Sequence, residues 1–178
     1  MHEAAHCKTQ DGSLVRTIIG AAKVFDTEQM KRGRLLEKKV VDYALKKLGM
    51  DFTNCDFVIR PSHPVVGASP DAICSDFVIE VMCPSSQKGF KDFLPNGQIS
   101  SKCKAQINLQ MFTTRLRKGL FLVASPDFEK SEKVTSKWIN YDEKYTISVI
   151  NEAMTFWKIN FSKIMGKRSK LSIFTMQT

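Results

Sequence analysis

The chain has 178 residues, of which 43% are hydrophobic and 25% charged, and it carries a formal net charge of +9. This composition is that of one globular domain with a core of its own. No apolar run approaches the roughly 18–20 residues of a membrane span, which excludes an integral membrane protein. The positive charge favours a polyanionic partner, most simply nucleic acid.

Cysteine usage and the N-terminal residues indicate a reducing compartment. Five cysteines, an odd number with no CxxC pair, argue against a disulfide framework and against a zinc ribbon. The N-terminus has neither the apolar core of a signal peptide nor the bias of a transit peptide. We therefore expect an intracellular protein, cytoplasmic or nuclear. In the absence of repeats or linkers, residues 1–178 are predicted to form a single domain, with 1–10 flexible.

The first predicted elements are helices. Residues 14–22 predict a short helix, and 27–48 predict a long one that Thr27 opens. Glu37 falls on the apolar stripe of the long helix, where a carboxylate is costly without a hydrogen-bond partner or a cation. The alternative is that Glu37 lies at the edge of the stripe and reaches solvent. The stripe recurs at helical spacing and consists of Met30, Val40, Val41, Ala44, Leu45 and Leu48.

A strand is predicted at 55–60, and residues 72–82 predict two short strands joined by a turn at Ser75 and Asp76. Strand alternation places Val78, Glu80 and Met82 on one face and Phe77, Ile79 and Val81 on the other.

The hairpin at 72–82 would carry Asp71 back beside Glu80. Two carboxylates that converge at the end of apolar strands repel each other unless a cation lies between them. Ligation by oxygen alone favours Mg²⁺ or Mn²⁺ over zinc. The alternative is a surface Asp and an edge-strand Glu that never meet.

Residues 83–100, with two prolines and two glycines, predict a loop with one short helical turn beside this site. A helix is predicted from about Ser101, and it carries Gln106, Gln110 and Thr113 on one face. Amides there are able to bond phosphate oxygens or a metal-bound water, and they are also ordinary surface residues.

The C-terminal third predicts a buried strand at 119–125, a more exposed strand at 133–141, and a long helix from Asp142 through about Lys163. Trp138 and Trp157 are interpreted as core anchors. The predicted order is α-α-β-β-β-α-β-β-α, an α/β or α+β domain with a mixed sheet covered by helices. The packed face of the final helix is predicted to comprise Ile147, Ile150, Met154, Trp157 and Phe161.

Four motifs occur in one order: Gly33-x-x-x-Glu37, Gly67-Ala-Ser-Pro-Asp71, Glu80-x-Met82-Cys83-Pro84 and Gln106-x-x-x-Gln110. Together they resemble the YqaJ-like viral recombinase family, relatives of phage lambda exonuclease among the PD-(D/E)xK nucleases. The resemblance implies a restriction-endonuclease-like core. It also implies a DNA exonuclease that commonly digests from 5′ to 3′, with a ring-shaped trimer in the lambda enzyme.

The resemblance also implies roles for residues. Asp71 and Glu80 would bind Mg²⁺ or Mn²⁺ with the main-chain carbonyl of Val81, and Glu37 would reach the metal directly or through water. Gln106 would position the scissile phosphate or the attacking water. The residues implied or predicted to contact nucleic acid are Ser69, Gln110, Arg115, Arg117 and Lys118.

Met82 stands where the family has a lysine that orients the attacking water. Methionine has a similar length, but it has no charge. Three explanations are open: a degenerate nuclease retained for binding, an active enzyme in which Lys88, Lys102 or Lys104 supplies the charge, or a deliberately inactivated site.

The sequence thus favours a metal-dependent DNA nuclease of the lambda-exonuclease type, with activity reduced or lost at Met82. The alternatives are a catalytically inactive nucleic-acid-binding module and a protein-interaction domain on the same fold. Salt-sensitive binding that survives mutation of Asp71 would indicate the binding module. A protein-interaction domain would show neither DNA affinity nor metal binding.

Overall fold

The computed structural model describes residues 26–53 and 55–174, with side chains described up to residue 160. It divides into two compact units, one of which is Asp26–Thr146. The described residues of the other are 147–174. The helix predicted at 14–22 and the flexible segment predicted at 1–10 lie outside the described residues.

The first helix, α1 (Glu28–Leu48), begins and ends as its sequence predicts. The Thr27 hydroxyl accepts a hydrogen bond from the Met30 amide at 3.2 Å, and Gly49 ends the helix with a positive φ of 63°. Met30 and Leu48 were predicted to be on the packed face but are exposed, because only the middle turns are covered. The buried residues of α1 are Leu36, Val40, Val41, Ala44 and Leu45.

A separate two-stranded antiparallel sheet follows, formed by β1 (Val58–Arg60) and β2 (His63–Ala68). The strand predicted at 55–60 is therefore shorter, and β2 was not predicted as a strand. Its Pro64 and Gly67 are residues typical of turns, so the sequence pattern does not indicate a strand there.

The main sheet has four strands in the order β3 (Ala72–Ile73), β4 (Phe77–Met82), β5 (Lys118–Ala124) and β6 (Val134–Asn140). The β4–β5 pair is parallel, and the other two pairs are antiparallel. The mixed sheet and α/β class predicted from the sequence are thereby confirmed.

The segment between β4 and β5 contains three helical pieces: α2 (Gln87–Phe93), a 3₁₀ turn (Pro95–Gly97) and α3 (Ser101–Thr114). The region predicted as a loop with one helical turn is therefore more helical than expected. The Ser86 hydroxyl caps α2 by accepting a hydrogen bond from the Gly89 amide at 3.1 Å. A short helix, α4 (Phe128–Ser131), was not predicted.

Helices cover both faces of the sheet, as strand alternation requires. One face carries Phe77, Ile79 and Val81, which pack in an apolar cluster with the buried face of α1. The other carries Val78, with Met82 against it, in a second cluster that includes Ile107 of α3. The faces predicted for β4 are confirmed. Glu80 lies on the face that α3 covers.

The final helix, α5, spans Glu143–Phe174 and so runs past its predicted end. Asp142 caps it as predicted, accepting a hydrogen bond from the Tyr145 amide at 3.1 Å. Beyond residue 146 its buried residues are Val149, Ile150 and Ala153, only one of which the predicted face contained. No helix among the described residues is long and apolar enough to cross a membrane.

The prediction that Trp138 is a core anchor is wrong. Its side chain is 55% exposed, although its ring meets that of Phe77 edge to face at a centroid distance of 4.9 Å. Trp138 lies on β6, the edge strand of the sheet, where no further strand covers it among the described residues.

Candidate active site

Asp71 lies at the end of β4 beside Glu80, as the predicted hairpin requires. Its amide donates to the carbonyl of Ile79 at 3.1 Å, and its carboxylate accepts a hydrogen bond from the amide of Val81 at 2.7 Å. The two bonds bracket Glu80, which sits between Ile79 and Val81 on β4. The alternative in which the two carboxylates never meet is excluded.

Glu80 is a buried carboxylate whose two oxygens each accept one amide hydrogen bond. Its side chain is 3% exposed. The Nε2 of Gln106 donates to one oxygen, and the Nε2 of Gln110 donates to the other. Because the two glutamines lie one turn apart on α3, the helix presents both amides to the same carboxylate. This arrangement fixes the orientation of Glu80.

Burial and mutual repulsion make the carboxylates hard to ionise. Burial raises the pKa of Asp71 to about 6, against a smaller lowering by the Val81 amide, and the charge of Glu37 raises it further. The pKa of Glu80 lies well above its ordinary value, first because of burial and then because of the charge of Asp71. The two glutamine amides oppose that rise, and Glu37 adds to it.

Glu37 is partly exposed on α1 and lies within electrostatic range of Asp71, Glu80 and Cys83. Burial raises the pKa of the Cys83 thiol to about 12, with Glu37 the next cause. Glu37 thus belongs to the acidic site at the end of β4. Its partial exposure also agrees with the interpretation that its carboxylate reaches solvent.

The donor set fits a hard divalent cation. The carboxylates of Asp71 and Glu80 are neighbours, and Glu37 lies within electrostatic range of both. Oxygen donors of this kind suit Mg²⁺ or Mn²⁺. The Oε1 of Gln110 is a further buried oxygen, with no hydrogen-bond partner among the described residues. Nevertheless, the described residues contain no close group of three His, Cys, Asp or Glu side chains that alone would hold a metal.

The main chain of Val81 lies on the same side of the site. Residues of an extended strand place their N–H and C=O toward the same edge. Because the Val81 amide bonds the carboxylate of Asp71, its carbonyl belongs to the Asp71 edge of β4. Ser69 is exposed, and its carbonyl accepts a bond from Gln110 at 3.3 Å.

Met82 is partly buried and packs against the apolar cluster on the α3 side of the sheet. Of the lysines considered as replacements, Lys104 pairs with Asp142 at 3.2 Å and lies 4.3 Å from the ring centre of Tyr145. Lys88 is exposed in the first turn of α2. In the structure, Lys104 is therefore already engaged away from Met82.

The predicted nucleic-acid contacts separate into two groups. Gln110 is 1% exposed and bonds Glu80, so it belongs to the acidic site. Arg115 and Arg117 line a cavity at the C-terminal end of α3, and Lys118 is exposed at the start of β5. These three basic residues do not contact Asp71 or Glu80.

The family model of the YqaJ-like viral recombinase domain matches residues 4–117. The chain belongs to this family. The match spans α1, the acidic site and α3 of the YqaJ-like domain, and it confirms the resemblance that the four motifs carry. The comparison with curated proteins returned no match.

Three solved structures similar to the YqaJ-like domain carry the name of an exonuclease. The alkaline exonuclease LHK-Exo from Laribacter hongkongensis superposes with a TM-score of 0.80 at 17% identity, over 97% of this chain and 91% of that one. LHK-Exo in complex with dAMP covers the same shares, with a TM-score of 0.81 at 18% identity. A phage related exonuclease from Haemophilus somnus 129PT has a TM-score of 0.64 at 11% identity, over 87% and 80% of the two chains. At these identities the likeness shows the fold.

Arg32, which the motifs do not predict, links α1 to the chain after β4. Its guanidinium donates to the carbonyls of Pro84 at 3.0 Å and Pro126 at 2.9 Å, and it pairs with Glu129 of α4 at 2.6 Å. Its only sequence signal is its position directly before the motif residue Gly33. The acceptors are distant in sequence, and three of them, the carbonyls of Cys83, Pro84 and Pro126, are main-chain atoms that no motif displays.

Proposed function

We propose that this YqaJ-like domain is a metal-dependent DNA nuclease that hydrolyses phosphodiester bonds. The observation that carries the proposal is the Glu80 carboxylate, buried between two glutamine amides and beside Asp71. A buried carboxylate next to a second one is costly, and a bound cation removes that cost. Pairs of this kind cluster at functional sites.

Asp71, Glu80 and the main-chain carbonyl of Val81 would hold Mg²⁺ or Mn²⁺, with Glu37 joining directly or through water. When bound, the ion supplies an activated water and neutralises charge on the phosphodiester.

The chain's own groups orient the reactants. Gln106 is exposed on α3 and donates to Glu80, so it lies at the border between the buried carboxylate and solvent. We assign it the positioning of the scissile phosphate or of the attacking water. Ser69, exposed before Pro70 and Asp71, would contact a phosphate at the DNA end. Arg115, Arg117 and Lys118 would contact the DNA backbone.

Met82 lowers the expected rate. A lysine at this position would supply a preorganised positive charge, and removal of one such group costs about 10²–10³ in rate. The inactive binding module therefore remains the second candidate. Its support is that Met82 packs in the apolar cluster, while Lys104 is paired with Asp142.

Digestion of end-labelled linear DNA, measured with and without Mg²⁺ or Mn²⁺, tests the nuclease proposal. We expect slow cleavage that needs the metal and is abolished by Asp71→Asn, which keeps the acceptor for the Val81 amide but removes the charge. Asp42→Asn on the exposed face of α1 is the matched control and should cleave like the native chain.

No metal-dependent cleavage at high protein concentration would overturn the nuclease proposal. Binding of DNA that persists in that case, and that Asp71→Asn leaves unchanged, would favour the inactive module.

A further inference from the structure

A second charged feature lies at the other end of α3. A cavity of about 200 Å³ opens between β1, the end of α3 and the segment that follows β6. We call it the arginine pocket; the residues that characterise it are Arg60, Phe112, Arg115, Arg117, Tyr141 and Glu143. Three guanidinium groups against one carboxylate leave the pocket with a surplus of two positive charges.

Arg60 brings a guanidinium whose donors are only partly used. It lies over the Phe112 ring at 4.4 Å, and its Nη1 donates to the Phe112 carbonyl at 3.3 Å. Its Nε is buried and has no hydrogen-bond partner among the described residues. A buried donor without an acceptor is costly, and an anionic oxygen is the acceptor that guanidinium groups bind best.

Arg117 and Tyr141 form the side of the arginine pocket. The Tyr141 amide donates to the Arg117 carbonyl at 3.0 Å, which extends the β5–β6 pairing by one step and sets the two side chains next to each other. The Arg117 guanidinium lies 4.8 Å from the Tyr141 ring centre. Its ion pair with Glu143, at 3.8 Å, is largely exposed and therefore weak, so a stronger anion can replace it.

Arg115 enters the pocket from an uncommon backbone conformation. It caps α3 with φ 63° and ψ 16°, a left-handed geometry usually given to glycine. A helix C-terminus by itself disfavours an anion. The three guanidinium groups outweigh that partial charge, and guanidinium groups match phosphate oxygens in geometry as well as charge.

The arginine pocket is separate from the acidic site. Lys118, which follows Arg117, is paired with Phe77, three residues before Glu80 on β4. Three strand residues correspond to about 10 Å. Both features lie on the α3 side of the sheet, so a single strand of nucleic acid has the length to reach both.

We propose that the arginine pocket binds a phosphate ester, taken from a nucleic-acid backbone, at a position distinct from the bond that the acidic site would cleave. The proposal rests on the proposed function only for the nucleic-acid source of the phosphate. A free deoxynucleotide presents the same chemistry and is the second source that the experiment must distinguish.

The test is metal-free binding, measured in EDTA by fluorescence anisotropy of a labelled DNA duplex and, in parallel, by calorimetry with a deoxynucleoside monophosphate. Arg115→Asn with Arg117→Gln removes two exposed charges, and asparagine tolerates the backbone of residue 115. We expect at least a tenfold loss of duplex affinity and a flattening of the salt dependence by about 0.9 for each phosphate that the variant no longer neutralises. The charge-matched control is Lys46→Gln with Lys130→Gln, two exposed positions on other helices.

A second variant keeps the test valid if the double variant does not fold. Glu143→Gln removes the carboxylate that competes for Arg117, and it should strengthen binding several-fold, whereas Asp42→Asn should not. Equal effects of pocket and control variants, or no effect of either, would overturn the proposal. Pocket-dependent binding of the mononucleotide but not of the duplex would assign the pocket to a free nucleotide instead of a backbone.

The binding assay contains no divalent ion and reads no cleavage. Absence of the pocket effect with metal-dependent cleavage intact would therefore reject this inference alone. Absence of cleavage with the pocket effect intact would reject the nuclease proposal alone.

Discussion

Met82 contributes no positive charge at the end of β4, where Asp71 and Glu80 lie. The neighbouring Glu80 is held by two amides, which supply hydrogen bonds but no charge. The Met82 side chain is partly buried against apolar residues. Methionine is one atom shorter than lysine and equally unbranched, so a lysine at this position would follow the same path and extend one atom further.

Met82→Lys should raise metal-dependent cleavage of linear DNA by about 10²-fold, because it adds one preorganised charge beside the acidic site. The comparison is made with the native chain in Mn²⁺, on the same end-labelled DNA. Met82→Leu, which conserves size without charge, is the control and should give no gain. An unchanged rate in the lysine variant would mean that the rest of the site has also lost its activity, or that another cation already acts there.

Single residues were predicted well where chain geometry alone decides their place. Strand alternation and a two-residue turn are sufficient to bring Asp71 beside Glu80. Arg60 escaped prediction because its partner Phe112 lies 52 residues away and offers a main-chain oxygen. Trp138 was misplaced because alternation says which face a side chain takes, but not whether anything covers that face.

At the scale of elements, Arg32 connects α1 to two other segments, the chain after β4 and helix α4. Its guanidinium joins α1 to the chain after β4, through Cys83 and Pro84, and to α4 through Glu129. The helix that carries Glu37 is thereby tied to the strand that carries Glu80. The acidic site depends on this connection because its carboxylates come from both elements.

Arg32→Met should lower the free energy of unfolding by about 2–3 kcal/mol, since it leaves carbonyl groups and a carboxylate without their charged donor. Chemical denaturation followed by circular dichroism measures the change. Amide exchange at Cys83, Ser85 and Ser86 should accelerate as well. Arg34→Met is the matched control; its ion pair with Asp26 is exposed, and its loss should have little effect. Equal stability losses in the two variants would contradict the role assigned to Arg32.

Helix α3 packs closely on β5 at Gly119, so the stability of the chain should be sensitive to any side chain added there. A Cβ on Gly119 would lie 2.7 Å from Cδ1 and 2.8 Å from Cγ1 of Ile107, whose side chain is fully buried. Gly119→Ala should therefore cost about 1–3 kcal/mol of unfolding free energy. Gly33→Ala is the control, because no atom lies within 4 Å of its added Cβ. In the helix interior, that change should stabilise the chain by up to about 1 kcal/mol. The opposite order of the two variants in a thermal melt would refute this packing argument.

Elements with strong periodicity and clear caps were predicted closely. Helix α1 combines Thr27, a regular apolar stripe and Gly49, and its bounds follow from them. Strand β2 was missed because it pairs only with the short β1, and its proline and glycine resemble a turn. An element is thus predicted from the sequence when local residues stabilise it, as in α1, and is missed when a distant strand does, as in β2.

At the scale of the whole molecule, the acidic site links stability to pH. The pKa of Asp71 rises from 3.8 in the unfolded chain to about 6 in the fold. At a pH between 3.8 and about 6, Asp71 keeps its proton in the folded chain and releases it in the unfolded chain. This contribution to stability is fully present below about pH 4 and is lost as the pH rises through 6. Glu80 shifts in the same direction.

Asp71→Asn should therefore raise the free energy of unfolding of the metal-free chain at pH 8, by on the order of 2–3 kcal/mol. The difference should shrink toward zero at pH 4, where Asp71 is protonated in the native chain too. Urea denaturation at several pH values in EDTA gives the curve, with Asp42→Asn as control. Addition of Mg²⁺ or Mn²⁺ at pH 8 should stabilise the native chain but not the variant. A gain that is constant with pH would contradict the assigned titration.

The fold class followed from the order of the elements, and the family from four motifs in sequence. The pairing of the strands in the two sheets could not be predicted from the sequence. Neither the separate β1–β2 sheet nor the parallel pairing of β4 with β5 is encoded in local patterns, because both depend on segments far apart in the chain. The same holds for the arginine pocket, whose residues come from β1, α3 and the segment after β6.

The amides of Gln106 and Gln110 do not titrate, and neither bond to Glu80 involves residue 82. The carboxylate thus keeps its orientation whichever side chain stands two residues later. The codons AUG for methionine and AAG for lysine differ by a single base. One point mutation is therefore able to place a lysine charge at residue 82, beside a carboxylate that two amides already hold.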